Sequence, residues 1–224
     1  MPRGAESLPV PLERALPLPD WAKRPPAPEP SPPRPLIPSQ PRRADPAARS
    51  PLGAEEGLGL ARGRLVHRLL QSLPDLAPAR RSAAARRFLA LPVHGLSPET
   101  QDALLTETLA ILAHPDFAPL FAPGSAAEVP VIGLLGEQAL AGQIDRLVVG
   151  EETVLIVDYK TLRPPPLDED AVPEAYLDQL AAYRAAVATI YPDRSVRCAL
   201  LWTEGPRLMP ISSALLDRHA PARS

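Results

Sequence analysis

Two runs of aliphatic and β-branched residues, Gln143 to Val149 and Val154 to Thr161, flank Gly150-Glu151-Glu152-Thr153. The pattern predicts a β-hairpin with a two-residue loop at Glu151-Glu152. In that register Val149 faces Val154 and Asp145 falls opposite Asp158, with Cβ atoms about 5 Å apart. Alternation then puts Lys160 on the face of both carboxylates, with Gln143, Leu147, Val149, Val154 and Ile156. Ile144, Val148, Leu155 and Val157 line the other face. Apolar residues on both faces predict strands buried on both sides of a sheet.

Helical spacing surrounds this hairpin. Leu58 to Leu73 reads as an amphipathic helix, with Leu65, Leu69 and Leu73 four apart and Pro74 ending it. Gly63 and His67 share another of its faces. A helix-interior glycine costs about 1 kcal/mol relative to alanine, so something must approach the backbone there. Pro78 to Leu91 and Pro98 to Ala113 read as packing helices, each with proline in the first turn. Glu128 precedes a short run, Val129 to Gly133, whose Pro130 predicts an edge strand or a strand start. Pro173 to Tyr191 reads as a helix with Gln179 and Tyr183 on one face. Val196 to Thr203 and Arg207 to Ile211 supply further strands, and Ser212 to His219 a short closing helix. The expectation is an α/β domain, a mixed sheet flanked by helices.

Composition divides the chain in two. Of its 32 prolines, 16 fall in the first 51 positions, which predicts an extended linker over residues 1–52 and a folded domain over 53–224. Trp21 is a candidate anchor for that linker on a neighbouring domain. The first 51 residues carry net charge +3 and the remainder −5, so the folded part is not a blanket nucleic-acid binder. Its densest basic stretch, Arg80 to Arg87, fits a solvated helix face as well as a DNA-facing patch. Cys198 is the one cysteine, too few for a disulfide framework or a four-cysteine iron-sulfur cluster within this chain. No run approaches the length of a membrane span, and no G-x-x-x-x-G-K-[ST] phosphate loop occurs.

Charge usage singles out one residue. Among 24 basic residues only Lys23 and Lys160 are lysine, and lysine, unlike arginine, can give up its proton when desolvated. Opposed carboxylates on buried strands cost several kcal/mol unless a cation or protons neutralise them. A divalent metal at Asp145 and Asp158 answers that cost. The plainer alternative is a buried Asp–Lys pair beside one solvent-facing aspartate. His67 alone reads more readily as an ordinary histidine than as a ligand, Glu128 equally as a solvated carboxylate, and Gln179 and Tyr183 as core packing with a polar rim.

Five ordered elements carry a family resemblance: Gly63-Arg64-Leu65-Val66-His67, Glu128, Gly142-Gln143-Ile144-Asp145-Arg146-Leu147, Asp158-Tyr159-Lys160-Thr161, and Gln179-Leu180-Ala181-Ala182-Tyr183. The pattern resembles the PD-(D/E)xK nucleases, and among them the RecB-like domain at the C-terminus of the AddA helicase-nuclease subunit. The resemblance implies a restriction-endonuclease-like core and a Mg²⁺-dependent DNA exonuclease, with Mn²⁺ as a possible substitute. It implies Asp145, Asp158 and Lys160 as catalytic residues. Metal ligation would fall to His67, Asp145, Asp158 and the Tyr159 carbonyl, and a supporting role to Glu128, Gln179, Tyr183 and Gly63. It further implies an upstream ATP-driven helicase, an AddB-type partner subunit, DNA ends with single strands produced by unwinding as substrate, and work in bacterial cytoplasm in break repair and recombination. Two other readings share these motifs: a stand-alone RecB-like exonuclease, and a non-catalytic DNA-end binding or assembly module on a decayed nuclease fold. The intact Asp145, Asp158 and Lys160 argue against the last.

Overall fold

The computed structural model describes residues 55–136, 138–161 and 164–221, together with Lys23 and Pro38; side chains are described from residue 61 on, apart from Gln138. Most of the expected linker, Trp21 included, lies outside the described residues. From Pro38 on, the described residues belong to one unit, Pro33–Ser224.

Three helices come first: α1 (Glu55–Ser72), α2 (Pro78–Leu89) and α3 (Pro98–Ala113). Apolar residues at helical spacing on α1, Leu65, Val66, Leu69 and Leu70, are buried against α2 and α3. Pro78 and Pro98 start their helices where a missing N–H costs nothing, and the Ser97 hydroxyl caps α3 by accepting from the Thr100 N–H. The strands follow as β1 (Ser125–Leu135), β2 (Gln138–Val149) and β3 (Thr153–Lys160), then helix α4 (Glu174–Ile190), strands β4 (Ser195–Trp202) and β5 (Arg207–Ile211), and α5 (Ser213–Arg218). They form one mixed sheet in the order β1-β2-β3-β4-β5, antiparallel except for the β3–β4 pair. A parallel pair needs a crossover, and α4 provides it. The α/β expectation therefore holds.

Two cores sandwich the sheet. Val154 and Ile156 of β3 point into the core shared with α4 and α5, whereas Val157 and Tyr159 enter the core of α1 to α3. The β2–β3 register is the expected one, with Val149 opposite Val154 and Arg146 opposite Val157, and the Gly150 N–H closes the turn on the Thr153 carbonyl at 2.9 Å.

Three details differ from expectation. The first hairpin strand begins at Gln138, five residues early, because β1 pairs with its leading half. Glu128 lies inside β1 rather than ahead of it, at φ +53°, a left-handed backbone unusual for a residue with a side chain. Ile144, expected on the face opposite Leu147, joins the same core as Leu147. The alternation breaks at Asp145, beyond the last β2–β3 pair and abreast of Glu128, so β2 changes face as it leaves β3. Pro130 does sit on an edge strand, because β1 borders the sheet.

Gly142 shows how tightly α4 seats on β2. A Cβ there would lie 2.6 Å from Cε1 and 2.8 Å from the hydroxyl of Tyr183, a fully buried ring whose hydroxyl accepts the Gln143 N–H at 3.1 Å. The ring cannot yield without losing that bond. Overpacking of this kind costs about 1–3 kcal/mol, so Gly142→Ala should lower the denaturant midpoint at unchanged m-value. An unchanged midpoint would show that Tyr183 repacks freely.

Candidate active site

Where β2 leaves β3, side chains from five elements meet. Antiparallel alternation, counted from the Gly150–Thr153 bond, leaves the Tyr159 N–H facing β2. The ladder has stopped at Arg146, and the Asp145 carboxylate accepts that N–H instead, through Oδ2 at 2.7 Å. Asp145 is thereby held by the backbone it borders. Its other oxygen, Oδ1, lies 3.2 Å from Nδ1 of His67, which α1 brings over the strand ends. Nε2 of the same imidazole is 3.2 Å from the Tyr159 carbonyl. Both ring nitrogens thus face acceptors, which favours the doubly protonated ring. Burial of the imidazole works to lower its pKa, but the charge and hydrogen bond of Asp145, aided by Asp158, outweigh this and leave it raised above 6.5.

Asp158 and Lys160, two apart on β3, share a face as alternation requires. Lys160 Nζ is 2.7 Å from Asp158 Oδ2, donates to Gln179 Oε1 at 2.9 Å, and stands 4.0 Å from the ring centroid of Tyr176. Burial pushes the Asp158 carboxyl above its ordinary range; Lys160 pulls it down, and the Asp145 charge adds to the rise. Burial and then Asp145 raise Glu128 in the same direction. Carboxylates that resist ionising together call for a cation.

A cavity of about 260 Å³ collects these groups, lined by His67, Glu128, Gln143, Asp145, Asp158, Lys160, Ala175, Tyr176, Gln179 and Pro38. Ligand atoms of His67, Glu128 and Asp145 lie within 4.8 Å of one another. Two carboxylate oxygens and an imidazole nitrogen suit a hard or borderline divalent ion, so the residues present fit a metal.

Not every expected site residue is here. Gly63 stands behind the site, where a Cβ would meet Thr161 Oγ1 at 3.2 Å; that hydroxyl is the close neighbour the glycine implied. Tyr183 braces β2 without lining the cavity. Tyr159 contributes its carbonyl, while burial pushes its phenol up to about 12. The basic stretch on α2 is partly spent on structure: Arg81 donates to the Pro74 and Leu76 carbonyls, and Arg86 pairs with Asp102.

Three contributors are not among the residues that the sequence motifs single out for a role. Buried Arg146 donates to the Tyr159 hydroxyl at 3.2 Å and to the Leu70 carbonyl at 2.7 Å, locking β2 to β3 and α1. Pro38, itself buried, lines the cavity. Tyr176 lies one turn before Gln179 on α4, a spacing that could have exposed it.

A strand-end cluster of carboxylates and a lysine beside a metal-capable triad is a centre suited to hydrolysis assisted by a divalent ion. A model of the PD-(D/E)XK nuclease superfamily matches residues 45–210, and the chain belongs to that family. Among solved structures, one described as "Putative exonuclease" from Eubacterium rectale is 14% identical with a TM-score of 0.40, over 65% of this chain and 63% of that one. The chain thus spans less than two thirds of that structure. Another, SSO0001, is 14% identical with a TM-score of 0.30, over 70% of this chain and 81% of that one. No curated protein matches. Among the described residues no helix is long and apolar enough to cross a membrane.

Proposed function

We propose that this domain is a Mg²⁺-dependent DNA exonuclease, the C-terminal nuclease part of an AddAB-type helicase-nuclease that processes double-strand ends for recombinational repair in the bacterial cytoplasm. The observation that carries the nuclease reading is the convergence of Asp145, Asp158 and Lys160 on one cavity with His67 and Glu128. The motor, its ATP and the AddB-type partner come from the AddA resemblance of the motifs, and the positively charged proline-rich stretch suits a link from such a motor.

His67, Glu128 and Asp145 would hold the ion, with Asp158 and the Tyr159 carbonyl beside them. Once bound, a divalent ion polarises the scissile phosphate and acidifies a coordinated water. Lys160, fixed by Asp158 and Gln179, presents its ammonium to the charge that develops on the phosphate, or takes part in moving the water's proton. The Asp145 carboxylate holds the Tyr159 backbone that the ion would share, and Arg146 anchors the phenol of the same residue.

End-labelled single-stranded and blunt duplex DNA, incubated with the chain in Mg²⁺, Mn²⁺ or chelator, tests the reading. Metal-dependent loss of label from single strands is expected; binding without cleavage would favour the non-catalytic module. One consequence concerns pH. A metal needs the neutral imidazole, and His67 holds its proton to higher pH than usual, so metal affinity should fall as pH drops through the histidine range. Calorimetry in buffers of different ionisation enthalpy should register proton release near neutral pH. Affinity independent of pH from 6 to 8 would remove His67 from the ligand set.

A further inference from the structure

We propose that Tyr176 is a positioning residue for Lys160, acting through the face of its ring. This deepens the nuclease reading and rests on it. Lys160 Nζ lies 4.0 Å from the Tyr176 centroid, within cation–π range, and both partners are largely withdrawn from solvent: the lysine side chain is 13% exposed and Tyr176 4%. Desolvation strengthens such a contact.

The ring does something that another oxygen would not. An ammonium has three N–H groups; Gln179 accepts one at 2.9 Å, and Asp158 Oδ2 stands 2.7 Å away as the ion-pair partner. Another strong acceptor would consume more of them. An aromatic face attracts the charge without claiming a full hydrogen bond, so one N–H stays available to a phosphate oxygen or a water. Tyr176 is also firmly placed. It shares an α4 face with Gln179, and its ring packs at 6.4 Å and 51° on Trp202, the fully buried β4 residue paired with Lys160 itself. Helix α4 thus supports the lysine with an acceptor and a π-face one turn apart.

Two lysines in the whole chain make this directly measurable. In protein labelled with ¹³C-lysine, the Lys160 signal is assigned as the one missing from Lys160→Ala. Its ε-methylene protons should stand upfield of ordinary lysine through the ring current, remain so in Tyr176→Phe, and return in Tyr176→Leu. Metal-dependent cleavage should show kcat about tenfold lower in Tyr176→Leu with KM unchanged, and near wild type in Tyr176→Phe. Tyr176→Met, which refills the volume, replaces the leucine variant should that one fail to fold. An ordinary ε-methylene shift in the wild type would overturn the proposal, as would equal kcat losses in Phe and Leu variants or a loss confined to KM. The spectra need no turnover, so a chain that cleaves nothing would refute the nuclease reading while the lysine shift still decides the role of Tyr176.

Discussion

Lys160→Ala is expected to abolish metal-dependent cleavage, with kcat lower by about 10²–10⁴, the range for removing a positioned charge or proton-transfer group. Folding should suffer as well, because the lysine is the cation nearest a buried Asp158 carboxylate, 2.7 Å away. Breaking a buried pair by deleting one partner costs about 3–5 kcal/mol when the remaining charge stays ionised. Asp158 has an escape: its carboxyl is already raised by burial, and loss of Lys160 removes the main influence pulling it down. The sign follows from linkage. A carboxyl whose folded pKa exceeds its unfolded value favours the folded state below the unfolded pKa, and that contribution is lost as pH rises through the folded one. The stability deficit of Lys160→Ala should therefore be large near pH 8 and shrink toward pH 5. Thermal melts across this range, beside a cleavage assay, check both halves; full cleavage by the variant would remove Lys160 from the mechanism.

Asp145→Asn is the second large effect. The neutral amide keeps an oxygen that can accept the Tyr159 N–H, so the strand end stays closed, while the charge that would hold the metal disappears. Mn²⁺ binding by calorimetry should fall below detection, and cleavage by about 10² or more. Asp145→Ala differs in an instructive way: it also orphans a buried N–H, at about 1–3 kcal/mol, so its melting temperature should fall further than that of the asparagine variant. Equal metal affinity in wild type and Asp145→Asn would move the ligand site elsewhere.

Much of this centre is legible in the amino-acid sequence. The hairpin register follows from local alternation, and it puts Asp145 level with Asp158 and Lys160 on the carboxylate face. Gly63 points to a close neighbour because a helix-interior glycine needs a reason, and Thr161 is that neighbour. Local rules mislead only where they stop applying. Alternation carried across Asp145 puts Ile144 on the wrong face, because β2 leaves β3 there and the alternation ceases. Composition places Glu128 ahead of its strand, because a left-handed residue inside a strand has no composition signal.

Periodicity within a few residues, together with ordered motifs, is enough to specify the strands, the helices, the hairpin pairing and the charged trio. Only the folded chain shows that the Asp145 carboxylate replaces a ladder bond, that His67 lies between it and the Tyr159 carbonyl, that Arg146 ties the two strands to α1, and that Pro38 reaches the cavity. One cause is common to them all. Each is a contact between residues distant in the chain, made only when packing brings separate elements together, and no local spacing encodes the distance between them.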